Sequence, residues 1–250
     1  MLLVLDTNII FGLLNDSDRL HSKVVELFRK IKGDVVLLDS IIDEVCRIFP
    51  EKIYDSIEPF IELYRSMILS FPSESEIRKK EEEKMKELAE KHPRMVNFYK
   101  YVVKIARDYR AKNGLTGAIF GLMDYYTIIS NCTKLLEIFE EKVKKLNPEI
   151  NVITSEFRFD NKEDLEKFLN ELDVIKSKIN KFWLGVKRGK DFEIFVEFVA
   201  KYQDSMHRTI LITDDADFVK LAKKSLNILE NSINVHNLEV SSLEEFLQSF

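Results

Sequence analysis

Residues Met1 to Asn8 read MLLVLDTN, an unbroken apolar run followed by Asp6, Thr7 and Asn8. The run is too short for an ordinary helix. Apolar side chains at both odd and even positions leave neither face for water, which is the pattern of a central strand in a parallel sheet. The polar trio sits where that strand ends. Downstream, apolar residues recur at helical spacing from Asp18 to Lys32, with Gly33 as a stop. A second buried strand follows at Val35 to Leu38, then Asp39 and Ser40 as caps for a helix holding Ile41, Val45 and Phe49. Strand, helix, strand, helix predicts an α/β fold, a parallel sheet flanked by helices on both faces.

The 250 residues, 45% apolar and 32% charged, are ample for a sizeable core. They suit one large domain or a domain with an insertion, and leave two independent modules open. A net charge of -5 gives no overall basic field for a polyanion, so nucleic acid would have to be held by local patches or bound metal. No secretory leader or membrane span stands out, and a cytoplasmic protein without a membrane partner is expected. Cys46 and Cys132 show no CxxC or CxxH spacing and are expected as core residues.

Between the α/β segments lies a different composition. Residues 60–185, rich in Glu, Lys, Leu, Ile and Phe, are expected to be a mostly helical insertion in a core made of 1–59 and 186–250. Helix starts are signalled at Ser73, with Glu76 completing a capping box, and near Asp160 and Asn161. The highly charged stretch 73–91 reads as a solvated helix. Gly114, Gly117 and Gly121 fit neither a P-loop nor a dinucleotide fingerprint, and are expected as a loop and a close-packed helix. The α/β pattern resumes with a helix opening at Asp191, a strand at Thr209 to Ile212 and a helix from about Asp217. A short strand is expected at Ile233 to Val235, then a helix capped near Ser241.

Ligands of open α/β sheets sit beyond the carboxyl ends of the strands. The acids of this chain are placed there. Asp6 closes the first strand, Glu44 lies in the helix after the second, Asp191 opens the helix leading to the TILI strand, and Asp215 and Asp217 follow that strand. Carboxylates gathered at one edge repel, so their pKa values rise or a divalent cation neutralises them. An oxygen-only donor set without His or Cys suits Mg²⁺ or Mn²⁺. Asp43 rivals Glu44, Asp124 rivals Asp191, and one of Asp215 and Asp217 is expected to cap the helix it opens.

These segments resemble the four acidic motifs of PIN-domain nucleases: LLVLDTN, SIIDEV, GKDFEI and ITDDADF, in that order. The last is similar to the family's Thr-x-Asp-x-Asp-Phe pattern through Thr213, Asp215, Asp217 and Phe218. The resemblance covers roughly the first fifty and last sixty residues. It implies a metal-dependent endoribonuclease hydrolysing phosphodiesters of single-stranded RNA. Asp6, Glu44, Asp191 and Asp215 would be metal ligands, Asp217 auxiliary, and Asn8 and Thr213 supporting polar groups. The chain departs from small PIN toxins, which are little more than half its length. An antitoxin or another protein partner is left open, and the apolar stripes of the helical stretch would suit a homodimer.

Six basic residues lie between Val174 and Lys190, with no acid among them. Lys181, Lys187, Arg188 and Lys190 could follow a phosphate backbone, with Trp183 stacking on a base or else buried in the core. The four histidines share no spacing and are assigned no catalytic part. Two other classes compete with the nuclease: a catalytically silent PIN-like scaffold binding RNA or protein, and a phosphatase of the haloacid-dehalogenase type. The latter needs Asp-x-Asp after the first strand, and Asn8 stands at the second position.

Overall fold

The computed structural model describes residues 1–155, 162–183, 189–231, 233 and 235–250. Among the described residues, five strands form one all-parallel sheet in the order β3-β2-β1-β4-β5. They are β1 (Leu2–Leu5), β2 (Asp34–Leu38), β3 (Val152–Ser155), β4 (Thr209–Thr213) and β5 (Leu238–Ser242). β1 lies between β2 and β4, in register Val4 to Val36 and Val4 to Leu211. Every residue of β4 and all but the first of β1 and β2 are buried, so both faces of the sheet's centre are covered by helices. The α/β class expected from the sequence is the one adopted.

The helices are α1 (Thr7–Leu14), α2 (His21–Lys30), α3 (Asp39–Met67), α4 (Glu74–Lys91), α5 (Val96–Ile129), α6 (Cys132–Leu146), α7 (Lys162–Trp183), α8 (Lys190–Tyr202), α9 (Ala216–Leu229) and α10 (Leu243–Gln248). The chain divides into two compact units. One comprises Met1–Ile10, Ser22–Val45 and Glu140–Phe250; the other comprises Phe11–His21 and Cys46–Phe139.

The first unit contains the sheet. Gly33, between α2 and β2, has φ +153°, and a Cβ there would meet the Met1 carbonyl oxygen at 2.4 Å. Only glycine fits that turn. Trp183, at the end of α7, is fully buried; it stacks on Phe195 at 5.7 Å and donates from Nε1 to Ser225 Oγ at 3.0 Å. That burial removes the base-stacking role considered for it, because an indole enclosed on all sides has no face to offer a base. β3 was not anticipated within the stretch expected to be helical; four residues without strong alternation give little strand signal. The last strand is also displaced from Ile233 to Val235 to Leu238–Ser242, where Leu238 and Val240 point inward around exposed Glu239. The C-terminal cap is Ser242 rather than Ser241, in a full capping box with Glu245.

The second unit is helical. Ser73 and Glu76 form the expected capping box of α4, whose residues are mostly exposed. Glu81 is an exception, with no exposure at all. It accepts from Tyr64 Oη at 2.9 Å and Arg107 Nε at 2.9 Å, and it pairs with Arg110, which also bonds Glu74 Oε1 at 2.8 Å. The α5 helix is broken at Asn113 and Gly114, where Gly114 has φ +65°. Beyond that break the chain doubles back: Tyr101 and Tyr125 share a hydroxyl bond of 2.8 Å, and a Cβ on Gly121 would fall 2.1 Å from the Tyr109 ring. The three glycines therefore play the expected turning and close-packing parts. Cys46 and Cys132 differ from expectation. They form a disulfide, with Cys46 half-buried and Cys132 exposed, because the fold brings two helix surfaces together at residues the sequence separates by 86.

Among the described residues, no helix is long and apolar enough to cross a membrane.

Candidate functional site

The site grows from the carboxyl ends of β1 and β4, which lie side by side. Asp6 follows β1 directly, and its backbone N–H still donates to Ile212 O of β4 at 2.9 Å. This last sheet bond fixes the Asp6 backbone, and α1 begins at the next residue. Its side chain is buried, 6% exposed. Oδ1 accepts the Thr7 backbone N–H at 2.8 Å and Oδ2 accepts the Thr213 hydroxyl at 2.6 Å.

Thr213 is a junction. Its Oγ1 donates to Asp6 and accepts from Asn8 Nδ2 at 3.3 Å and from the Asp215 N–H at 3.1 Å. Asn8 Oδ1 in turn accepts the Asp214 N–H at 3.3 Å. The two strand-ending loops are thus joined through side chains at Asp6, Asn8 and Thr213, the residues singled out at these ends. Thr7, placed in the polar trio but given no role by the sequence, donates from Oγ1 to Glu44 Oε2 at 2.7 Å and so links the start of α1 to α3. Glu44 is half-buried, whereas Asp43 is exposed.

Burial drives the Asp6 carboxyl up to about 7 from its ordinary 3.8. Its hydrogen bonds to Thr213 and Thr7 oppose the rise, while the charges of Asp191 and Glu44 reinforce it. Three of the anticipated acids therefore share one electrostatic environment. Asp191 is half-buried in the first turn of α8, and Asp124 lies exposed in the helical unit.

The remaining acids are placed differently. Asp215 caps α9, its Oδ1 accepting the Asp217 and Phe218 N–H groups at 3.0 Å each. Asp217 is exposed in the first turn of that helix. Of the basic stretch, Lys181 is exposed, its Nζ 5.0 Å from the Phe182 ring, and Lys190 pairs with Glu193 at 3.2 Å. Lys187 and Arg188 lie outside the described residues, as do Asp160 and Asn161.

Glu197 escaped the sequence reading. Its carboxylate accepts the Asp39 N–H at 3.0 Å and the Ser40 N–H at 3.1 Å, at the start of α3. Burial raises its pKa, outweighing the opposing hydrogen bonds from Ser40 and from the Asp39 amide. A signal was present: Glu197 is an acid set between the buried residues Ile194, Phe195, Val196, Phe198 and Val199.

Among the described residues, no three His, Cys, Asp or Glu side chains already stand close enough to hold a metal ion. The donor chemistry nevertheless fits Mg²⁺ or Mn²⁺. Asp6, Glu44 and Asp191 offer only hard carboxylate oxygens, and each Asp6 oxygen keeps acceptor capacity beyond its bond to Thr7 or Thr213. A divalent cation would also relieve the repulsion from Glu44 and Asp191 that adds to the effect of burial on Asp6.

No family model, curated protein or solved structure matches this chain.

Proposed function

We propose that this protein is a metal-dependent endoribonuclease, built around a PIN-like core and acting on single-stranded RNA. The observation that carries the reading is Asp6: a buried carboxyl at the end of the central strand, raised toward neutrality, with the charges of Glu44 and Asp191 acting on it. The resemblance of four acidic segments to PIN-domain nucleases, in order along the chain, supports the same reading.

Asp6, Glu44 and Asp191 would hold Mg²⁺ or Mn²⁺, with Asp215 at the adjoining helix start. When bound, such an ion offsets phosphodiester charge and activates water for in-line attack. The chain's own residues supply the framework. Thr213 and the Thr7 amide fix both oxygens of Asp6, so its rotamer is set before any ligand arrives. The Thr7 hydroxyl orients Glu44. Asn8 holds Thr213 from one side and the Asp214 amide from the other, keeping the β4 loop against the β1 end.

The test is cleavage of labelled single-stranded RNA by the full chain in Mg²⁺, Mn²⁺ and EDTA, beside Asp6→Asn and Asp215→Asn. Products that need the metal and vanish in Asp6→Asn and Asp215→Asn, with each variant's circular dichroism unchanged, are expected. Undiminished cleavage by both variants would sink the reading. The alternative reading is a PIN-like scaffold that binds RNA or protein without cutting. It predicts retained RNA binding in Asp6→Asn and no product with either metal.

A further inference from the structure

We infer that Glu197 is a positioning residue that sets the spacing between the helix bearing Glu44 and the helix bearing Asp191. The inference rests on the metal-dependent reading above.

Glu197 belongs to α8, six residues after Asp191, and its two oxygens grip the first two amides of α3, which carries Glu44 five residues further on. One carboxylate thus spans the two helices that deliver the second and third acids to Asp6. Two separate acceptor atoms on two successive amides resist rotation as well as translation, which a single bond would not. The α3 N-terminus favours the negative charge through its dipole and through first-turn N–H groups that have no acceptor within the helix. The anchorage is half-buried, and apolar neighbours on α8 limit the freedom of the side chain to swing away.

The groups facing Glu197 are Asp39, whose charge repels it, and Lys201, one turn along α8 and close enough to feel both carboxylates. Neither replaces the grip on the amides. A half-buried acid with both oxygens committed to the start of the Glu44 helix is placed to hold the site's geometry.

The experiment compares wild type, Glu197→Ala and Glu197→Gln in three measurements: amide hydrogen exchange at Asp39 and Ser40, Mn²⁺ binding by calorimetry, and RNA cleavage well below the melting temperature. In Glu197→Ala, faster exchange at both amides, roughly tenfold weaker Mn²⁺ binding and roughly tenfold lower kcat with little change in KM are expected. Glu197→Gln keeps one acceptor oxygen at the same reach and should recover part of each loss; it also carries the test if the alanine variant fails to fold. Faster exchange with wild-type Mn²⁺ affinity and wild-type kcat would overturn the inference and leave Glu197 a structural anchor. Wild-type protein that neither binds Mn²⁺ nor cleaves RNA would instead overturn the parent reading, and this inference with it.

Discussion

The Thr213 hydroxyl donates to Oδ2 of Asp6 across 2.6 Å, joining residues 207 apart in the chain. Hydrogen bonds to a charged acceptor contribute roughly 1.5 to 3 kcal/mol. Thr213→Val keeps the shape and deletes the donor, leaving Oδ2 buried without it. The variant should lose about 2 kcal/mol in chemical denaturation at pH 8 and lower RNA cleavage, while Thr213→Ser stays near wild type. Equal stability of the valine and serine forms would show that the bond contributes nothing.

Asp6 also predicts a pH dependence. Its carboxyl titrates at about 7 when folded against an ordinary 3.8, so between these values the folded chain binds more protons than the unfolded one. Its contribution to stability is therefore fully present below about pH 4 and is lost as pH rises through about 7. At 1.36 kcal/mol per pKa unit the loss is at most about 4 kcal/mol. Asp6→Asn should flatten this slope between pH 5 and 8, and Mn²⁺ should raise the wild-type melting temperature more at pH 8 than at pH 5. A wild-type slope unchanged in Asp6→Asn would assign the effect to other groups.

Glu81 should be among the costliest positions to truncate in the helical unit. Removing it leaves Arg110, 5% exposed in its side chain, without its innermost partner. Breaking such a buried pair costs roughly 3 to 5 kcal/mol, whereas replacing both partners with apolar residues often costs far less. Urea denaturation should accordingly rank Glu81→Ala as more damaging than Glu81→Leu combined with Arg110→Met. The reverse order would mean that the ion pair is dispensable.

The disulfide between Cys46 and Cys132 closes a sequence separation of 86 residues. The loop-closure entropy it removes from the unfolded chain amounts to about 4.6 kcal/mol in the simplest model. Reduction, or Cys46→Ser with Cys132→Ser, should lower the melting temperature of the helical unit without altering the hydrogen exchange of β1 and β4. Identical melts in oxidised and reduced protein would refute this.

What could be read in advance follows from how local each signal is. β1, β2 and β4 are continuous apolar runs, so burial on both faces is written into the composition of each segment. Asp6, Asn8 and Thr213 were visible because they stand where those runs stop. α1 was not, since NIIFGLL is apolar all round and offers no polar face to set a period. β3 and β5 depend on pairing with neighbours supplied by distant chain. Thr7 and Glu197 act through partners 37 and 158 or 157 residues away, which no local pattern encodes. The cysteines illustrate the opposite risk: residue type suggested a core, and only tertiary proximity revealed the bond.

The position of β1 between β2 and β4 has a consequence for biosynthesis. Once Leu38 has left the ribosome, one side of β1 can zip to β2, but the other waits for Thr209–Thr213 to emerge. At translation rates of roughly 5 to 20 residues per second that delay is on the order of ten seconds or more. During it a fully apolar strand offers a bare edge to any other nascent polypeptide, and an early stop codon anywhere before β4 would make that exposure permanent.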